Sequence, residues 1–196
     1  MSDTKDDVRM KLNEGVIIEG ARCLLVPYTK DLVEQYHSWF VEDPELLRLT
    51  GSELLTLEEE YINQESWRED QSKLTFLIRD IVNITRPLCG DINAFFSDFF
   101  ESDWEDMDGI SETPSGLVAE INLMIARQES RRKGIAREAI TTFTDFILKS
   151  IKDVRILVAK IQIDNDASIK LFESLGYHEF KRIACFNEVH LVKFVS

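Results

Sequence analysis

Residues 117–136 read LVAEINLMIARQESRRKGIA, and this stretch decides the fold. Leu117 to Ala126 is an apolar run of strand length. The helical pattern that follows puts Ile135, Ala136, Ala139, Ile140, Phe143, Phe146 and Ile147 on one face, predicting a helix over 134–150. A second apolar run follows over 154–163. Strand, helix and strand in this order predict a right-handed βαβ crossover with two parallel strands. Between the first strand and the helix lies the basic turn Arg131-Arg132-Lys133-Gly134-Ile135-Ala136. The first amides of a helix have no intrahelical acceptor, and the helix dipole favours an anion there, so this turn is a candidate phosphate site. Gly134 adds no Cβ to hold a phosphate away from the backbone.

The flanks extend the pattern. Arg22 to Tyr28 reads as a strand, and Asp31 to Phe40 as a helix carrying Leu32, Val33, Tyr36, Trp39 and Phe40. Pro44 opens a short helical turn. Thr56 with Glu59 forms a capping box for a helix to about Trp67. Lys73 to Asp80 reads as a strand with Leu74, Phe76 and Ile78 alternating, and Cys89 to Phe100 as another. Ala167 to Leu175 is a short helix stopped by Gly176. Glu179 to Phe186 and Glu188 to Val195 close the chain as an antiparallel pair. The fold class is α/β with a mixed central sheet flanked by helices. Residues 1–9 read as a flexible polar tail and 10–196 as a single domain.

The 196 residues carry a net charge of −13. That excludes general affinity for nucleic acid or anionic membranes and favours basic peptides or amines as partners. Asp91 to Gly116 holds eight acids and no Lys or Arg, and its centre, 101–115, reads as an acidic loop. The loop is either a steering surface for a basic partner or a solvated face. Cys23, Cys89 and Cys185 are widely spaced and do not cluster with His37, His178 or His190. No metal site is expected, and the thiols read as free and buried. Met1 to Val8 does not read as a signal peptide and no run approaches a membrane span, so the expected location is cytosolic, or shared between nucleus and cytosol.

Arg131-x-x-Gly134-x-Ala136 at a strand-to-helix junction resembles the acetyl-CoA signature of the GNAT superfamily of N-acetyltransferases. Downstream, Asn165-x-x-Ser168-x-x-x-Phe172-x-x-Leu175-Gly176-Tyr177 resembles that superfamily's second motif. The runs Met10 to Glu14, Leu49 to Glu53, Leu57 to Tyr61, Ser66 to Asp70 and Gly90 to Asn93 are similar to the eukaryotic N-acetyltransferase 9-like subgroup. The resemblance implies a sheet whose two parallel strands splay around acetyl-CoA. Backbone groups of Met124, Ile125 and Ala126 would pair with the pantetheine. The turn amides, from Arg132 and Lys133 through Gly134, Ile135 and Ala136 to Arg137, would hold the pyrophosphate behind Arg131. Asn165 and Phe172 would flank the thiol.

The resemblance also implies direct attack by an amine, without an acyl-enzyme. Many relatives place a tyrosine acid where this chain has Phe172, and some N-terminal acetyltransferases place a glutamate base where it has Lys160. Glu120, eleven positions before Arg131, has the spacing of the catalytic glutamate in the histone acetyltransferase branch. It reads either as the base, directly or through water, or as an inert acid at a strand's start. A weak base favours a protein α-amine. With a pKa near ~8, roughly a tenth of it is neutral at pH 7, against about one in several thousand for a lysine near ~10.4. The expected function is acetyl transfer to a protein N-terminus. The alternative is a catalytically weak binding protein of the same fold that acts through a partner, such as a cytoskeletal protein.

Overall fold

The computed structural model describes residues 12–98 and 116–195. Both the tail at 1–9 and the acidic loop at 101–115 lie outside the described residues. Eight strands are hydrogen-bonded in the order β1-β2-β3-β4-β5-β6-β8-β7. They are β1 (Ile18–Glu19), β2 (Cys23–Pro27), β3 (Lys73–Asp80), β4 (Leu88–Asp98), β5 (Leu117–Ile125), β6 (Val154–Gln162), β7 (His178–Ile183) and β8 (Glu188–Phe194). The helices are α1 (Val33–Glu42), α2 (Pro44–Thr50), α3 (Leu57–Glu69), α4 (Ile135–Ser150) and α5 (Asp166–Glu173). The sheet is mixed, as expected, with β5 and β6 parallel and β6, β8 and β7 antiparallel. Among the described residues, no helix is long and apolar enough to cross a membrane.

The chain forms two compact units. Within the described residues the first holds 12–93 and 123–144, and the second holds 94–98, 116–122 and 145–195.

In the first unit, α1 buries Val33, Tyr36, Trp39 and Phe40, the one-sided spacing of an amphipathic helix. Tyr36 is the centre of an aromatic cluster, with its ring centroid 4.8 Å from Tyr28 and 5.4 Å from Phe40. Helix α2 begins on Pro44 with Asp43 capping Glu45 N, and ends on Gly51 at φ +64°. The Thr56–Glu59 capping box opens α3. Strand β3 departs from the predicted alternation, because residues 73–78 are all buried, as in a strand covered on both faces. Asp91, the first of the eight acids counted from Asp91 to Gly116, sits inside β4. It is 4% exposed and accepts from Tyr36 Oη at 3.1 Å and Asn93 Nδ2 at 2.9 Å. Burial pushes its carboxyl up from the ordinary range.

In the second unit, β5 pairs with β6 from Leu117↔Val154 to Glu120↔Val158. Strand β8 pairs along β6 from Ile156↔Phe194 to Gln162↔Glu188. A short 3-10 turn, Ala184–Phe186, and Asn187 at φ +55° join β7 to β8. Cys185 in that turn is exposed, unlike the buried free thiols Cys23 and Cys89. The prediction of three buried thiols fails here because the turn projects beyond both strands.

Candidate active site

The basic turn belongs to the first unit. Arg132 at φ +63° and Gly134 at φ +79° both adopt left-handed backbone, which wraps the turn before α4 begins. The first α4 bond runs from Glu138 N to Gly134 O at 3.1 Å. The amides of Gly134, Ile135 and Ala136 therefore have no acceptor within the 16-residue helix, the arrangement that takes an oxyanion.

The predicted basic side chains divide. Arg131 donates Nε to Ile125 O at 2.9 Å and Nη2 to Ala126 O at 3.3 Å, so its guanidinium braces the end of β5. Lys133 Nζ lies 3.2 Å from Asp80 Oδ2. Arg132 is exposed, as is Arg137. Ile135 is buried, as are Met124 and Ala126, so what these three offer a ligand is backbone.

Three residues that sequence reasoning missed hold this turn. Asp80 is 0% exposed and accepts four bonds: Ser130 Oγ at 2.8 Å, Lys133 Nζ at 3.2 Å, and the amides of Val82 and Asn83 at 3.0 Å each. Burial pushes its carboxyl upward. The bonds from Ser130, Asn83 and Lys133 outweigh burial and hold it below the ordinary range. Glu138 accepts from the amides of Ala21, Arg22 and Cys23 at 2.9, 2.7 and 2.9 Å. Burial raises that carboxyl too, and the three backbone bonds again outweigh it. Arg22 then donates Nη1 to Lys133 O at 3.3 Å, and a Cβ on Gly134 would touch its Cδ at 3.4 Å. Arg22 thus adds an exposed guanidinium beside the turn. The contacts that reach the turn from Asp80 and Arg22, and that join Glu138 to residues 21–23, span 50 to 117 residues of sequence, which is why local motifs do not reveal them.

The second unit carries a cavity of about 360 Å³. Val118, Glu120, Val158, Lys160 and His190 line it from the same face of β5, β6 and β8, as the register Glu120↔Val158 and Lys160↔His190 requires. Phe96 and Phe180 are further walls. Glu120 is not an isolated acid. Lys160 Nζ lies 2.6 Å from its Oε2, and Asn122 donates to its Oε1 at 3.3 Å. The side chains of Glu120 and Lys160 are 23% and 41% exposed, so both reach the cavity.

His190, which sequence reasoning left unassigned, is 8% exposed with Nε2 3.3 Å from Glu188 Oε2. Burial is the largest cause that lowers its pKa, with Lys160 and Lys181 adding to it and Glu188 opposing. These causes favour the neutral ring, and a neutral ring that donates Nε2–H to Glu188 keeps a lone pair on Nδ1.

Asn165 caps α5, its Oδ1 accepting from Ser168 N at 3.2 Å. Phe172 is 4% exposed and meets Tyr177 edge-on at 5.0 Å between centroids. Its ring carries no acid, and the buried Tyr177 hydroxyl has no hydrogen-bond partner among the described residues.

A mixed sheet with parallel β5 and β6, and a basic turn at the start of the intervening helix, define an acyltransferase scaffold. The chain belongs to the acetyltransferase (GNAT) domain family, which matches residues 22–178. It is 42% identical to an N-acetyltransferase 9-like protein of Caenorhabditis briggsae, over 92% of this chain and 86% of that one. It is 35% identical to the alpha/beta-tubulin-N-acetyltransferase 9 of Homo sapiens, over 95% of this chain and 87% of that one. The fold is also that of RimL, a ribosomal L7/L12 alpha-N-protein acetyltransferase, with a TM-score of 0.71 at 12% identity over 92% of this chain and 94% of that one.

Proposed function

We propose that the protein transfers an acetyl group from acetyl-CoA to the α-amine of a protein N-terminus, directly and without an acyl-enzyme. Acetyl-CoA supplies the activated acetyl thioester. The turn amides from Arg132 to Arg137 hold its diphosphate, with Arg22 and Arg132 adding charge. The backbone of Met124, Ile125 and Ala126 serves the pantetheine, provided that Arg131 shares the carbonyls it braces. Asn165 and Phe172 shape the thiol end.

The observation that carries the choice of acceptor is the Glu120–Lys160 pair at 2.6 Å in the cavity wall. It shows a carboxylate that receives an alkylammonium in this geometry, so a substrate ammonium has a place to be held. It also shows a carboxylate whose Oε2 is already taken by a cation, in a chain with Phe172 and Lys160 where relatives place an acid and a base. A site of modest base strength handles an α-amine near ~8 far better than a lysine near ~10.4. The human relative's name makes tubulin N-termini the first acceptors to test, in the cytosol where such acceptors occur.

The experiment is incubation with isotope-labelled acetyl-CoA and peptides that carry both a free N-terminus and internal lysines. Mass spectrometry then locates the label. Label on α-amines, absent with Gly134→Glu, is the expected result. Label on lysine with free N-termini untouched overturns the choice of acceptor. A second reading, a weakly catalytic protein acting through a partner, is favoured by Phe172 alone, which leaves that position without a proton donor. Acetyl-CoA binding with no transfer to any peptide would establish it.

A further inference from the structure

The reading above leaves open which group takes the acceptor's proton, and the second unit's cavity points to one. Its polar groups come from five strands. Glu120 on β5 takes Lys160 of β6 on one oxygen and Asn122 on the other. Asp98 on β4 and Lys181 on β7 stand at the wall, and His190 projects from β8 opposite Lys160. Glu188, two residues before His190 on the same strand, holds one ring nitrogen. A carboxylate that fixes the ring through one nitrogen leaves the other as an oriented acceptor, the arrangement that general-base imidazoles use.

We propose that His190, oriented by Glu188, is the general base that takes the proton of the acceptor ammonium, with the Glu120–Lys160 pair positioning that ammonium. The inference rests on the acetyl-transfer reading and deepens it. An N–H bond of the ammonium breaks and its proton passes to the imidazole. The freed lone pair forms the C–N bond as the thioester C–S bond breaks, its electron pair leaving on sulfur. The second amine proton is lost as the amide forms and ends on sulfur, and the imidazolium returns its proton to water.

The surrounding charges supply a test. Lys160 and Lys181 push the imidazole pKa down, Glu188 pulls it up, and Glu120 and Asp98 are the other ionisable groups on the wall. The ring nitrogens of His190 are followed by NMR in the protein alone, with His190→Gln assigning the signal. Titration below pH 6.5, moving up in Lys160→Met and down in Glu188→Gln, is expected. No response of the His190 titration to Glu188→Gln overturns the proposed orientation.

Peptide acetylation is then measured against pH. With His190 as base, kcat/KM is level from the imidazole pKa up to the amine pKa near ~8. In His190→Gln, kcat falls about a hundredfold at pH 7. Its kcat/KM then rises about tenfold per pH unit toward ~8, because only free amine reacts, while acetyl-CoA affinity is unchanged. Glu120→Gln raises KM for the peptide and keeps the level profile. Wild-type transfer matched by His190→Gln with the same pH profile refutes the role of His190 and leaves the acetyl-transfer reading standing. Absence of transfer by the wild type overturns both.

Discussion

Replacing Asp80 with Asn tests whether one buried carboxylate organises the basic turn before α4. Asp80 accepts two amides on Oδ1 and Ser130 and Lys133 on Oδ2, with no exposure to water. Asn offers a single acceptor oxygen. Turned toward Val82 and Asn83, it keeps both amides satisfied and aims its NH2 at Ser130 and Lys133. The serine hydroxyl rotates to accept, so the loss falls on Lys133, whose side chain is 34% exposed and can turn to water. One lost charged bond with partial rescue costs about 2–3 kcal/mol. Asp80→Ala strands all four donors and costs about 4 kcal/mol or more. Urea unfolding at pH 7 measures both. The cause is isolated by a cycle with Lys133→Met, which is costly in the wild type and nearly free in the Asp80→Asn background. Because the Asp80 carboxyl is held below its ordinary range, its contribution is present above pH 3.8 and lost as pH falls through the folded value. The gap between wild type and Asp80→Asn therefore narrows in acid. A loss under about 1 kcal/mol, or an equal cost of Lys133→Met in both backgrounds, refutes the reasoning.

Glu138→Gln replaces two acceptor oxygens with one facing the amides of Ala21, Arg22 and Cys23. It lowers stability by about 1–3 kcal/mol and weakens acetyl-CoA binding as Arg22 loosens, both read by denaturation and calorimetry. Gly90→Ala sets a Cβ against the carbonyl oxygen of Met124, so its unfolding midpoint drops far more than that of Gly51→Ala, where open space leaves only a left-handed φ to strain. Burial brings the Lys73 ammonium from 10.5 down to about 7. The unfolded chain therefore binds this proton first, and stability is lost progressively as pH falls from 10.5 to about 7. Lys73→Met is expected to stabilise the protein by an amount that grows from pH 10 to pH 7 and then levels off, and a gain independent of pH would count against it.

What was legible in the sequence was what is local. Strands β5 and β6 are apolar runs, α4 shows one apolar face, and the Thr56–Glu59 capping box spans three residues, so each is visible without its neighbours. The two-residue β1 carries no pattern of its own and exists because Leu24 and Leu25 pair with it. The turn at Arg131–Ala136 was legible as a candidate anion site for the same local reason. Its supports were not, since Asp80, Glu138 and Arg22 meet only through the fold. The cavity residues left a fainter trace. Lys160 between Ala159 and Ile161, and His190 between Val189 and Leu191, are single polar residues inside apolar strands. One such residue shows that a face is interrupted, and only the register of β5, β6 and β8 shows that three interruptions coincide.

Access to water then separates buried charge that holds the fold from charge that can do chemistry. Asp91 and Glu120 are both carboxylates on strands near a tyrosine-rich or phenylalanine-rich wall. Asp91 is 4% exposed and spends its lone pairs on Tyr36 and Asn93, which ties α1 to the sheet. Removing it should cost stability and leave the cavity chemistry alone. Glu120 opens on a cavity and pairs with an ammonium that is 41% exposed and can exchange with another. Each acid stands in the sequence inside a strand-forming stretch, and nothing local shows which of the two faces is covered. The role proposed for Glu120 rests on a strand face left open to the cavity at that point, whereas α1 covers the face beneath Asp91.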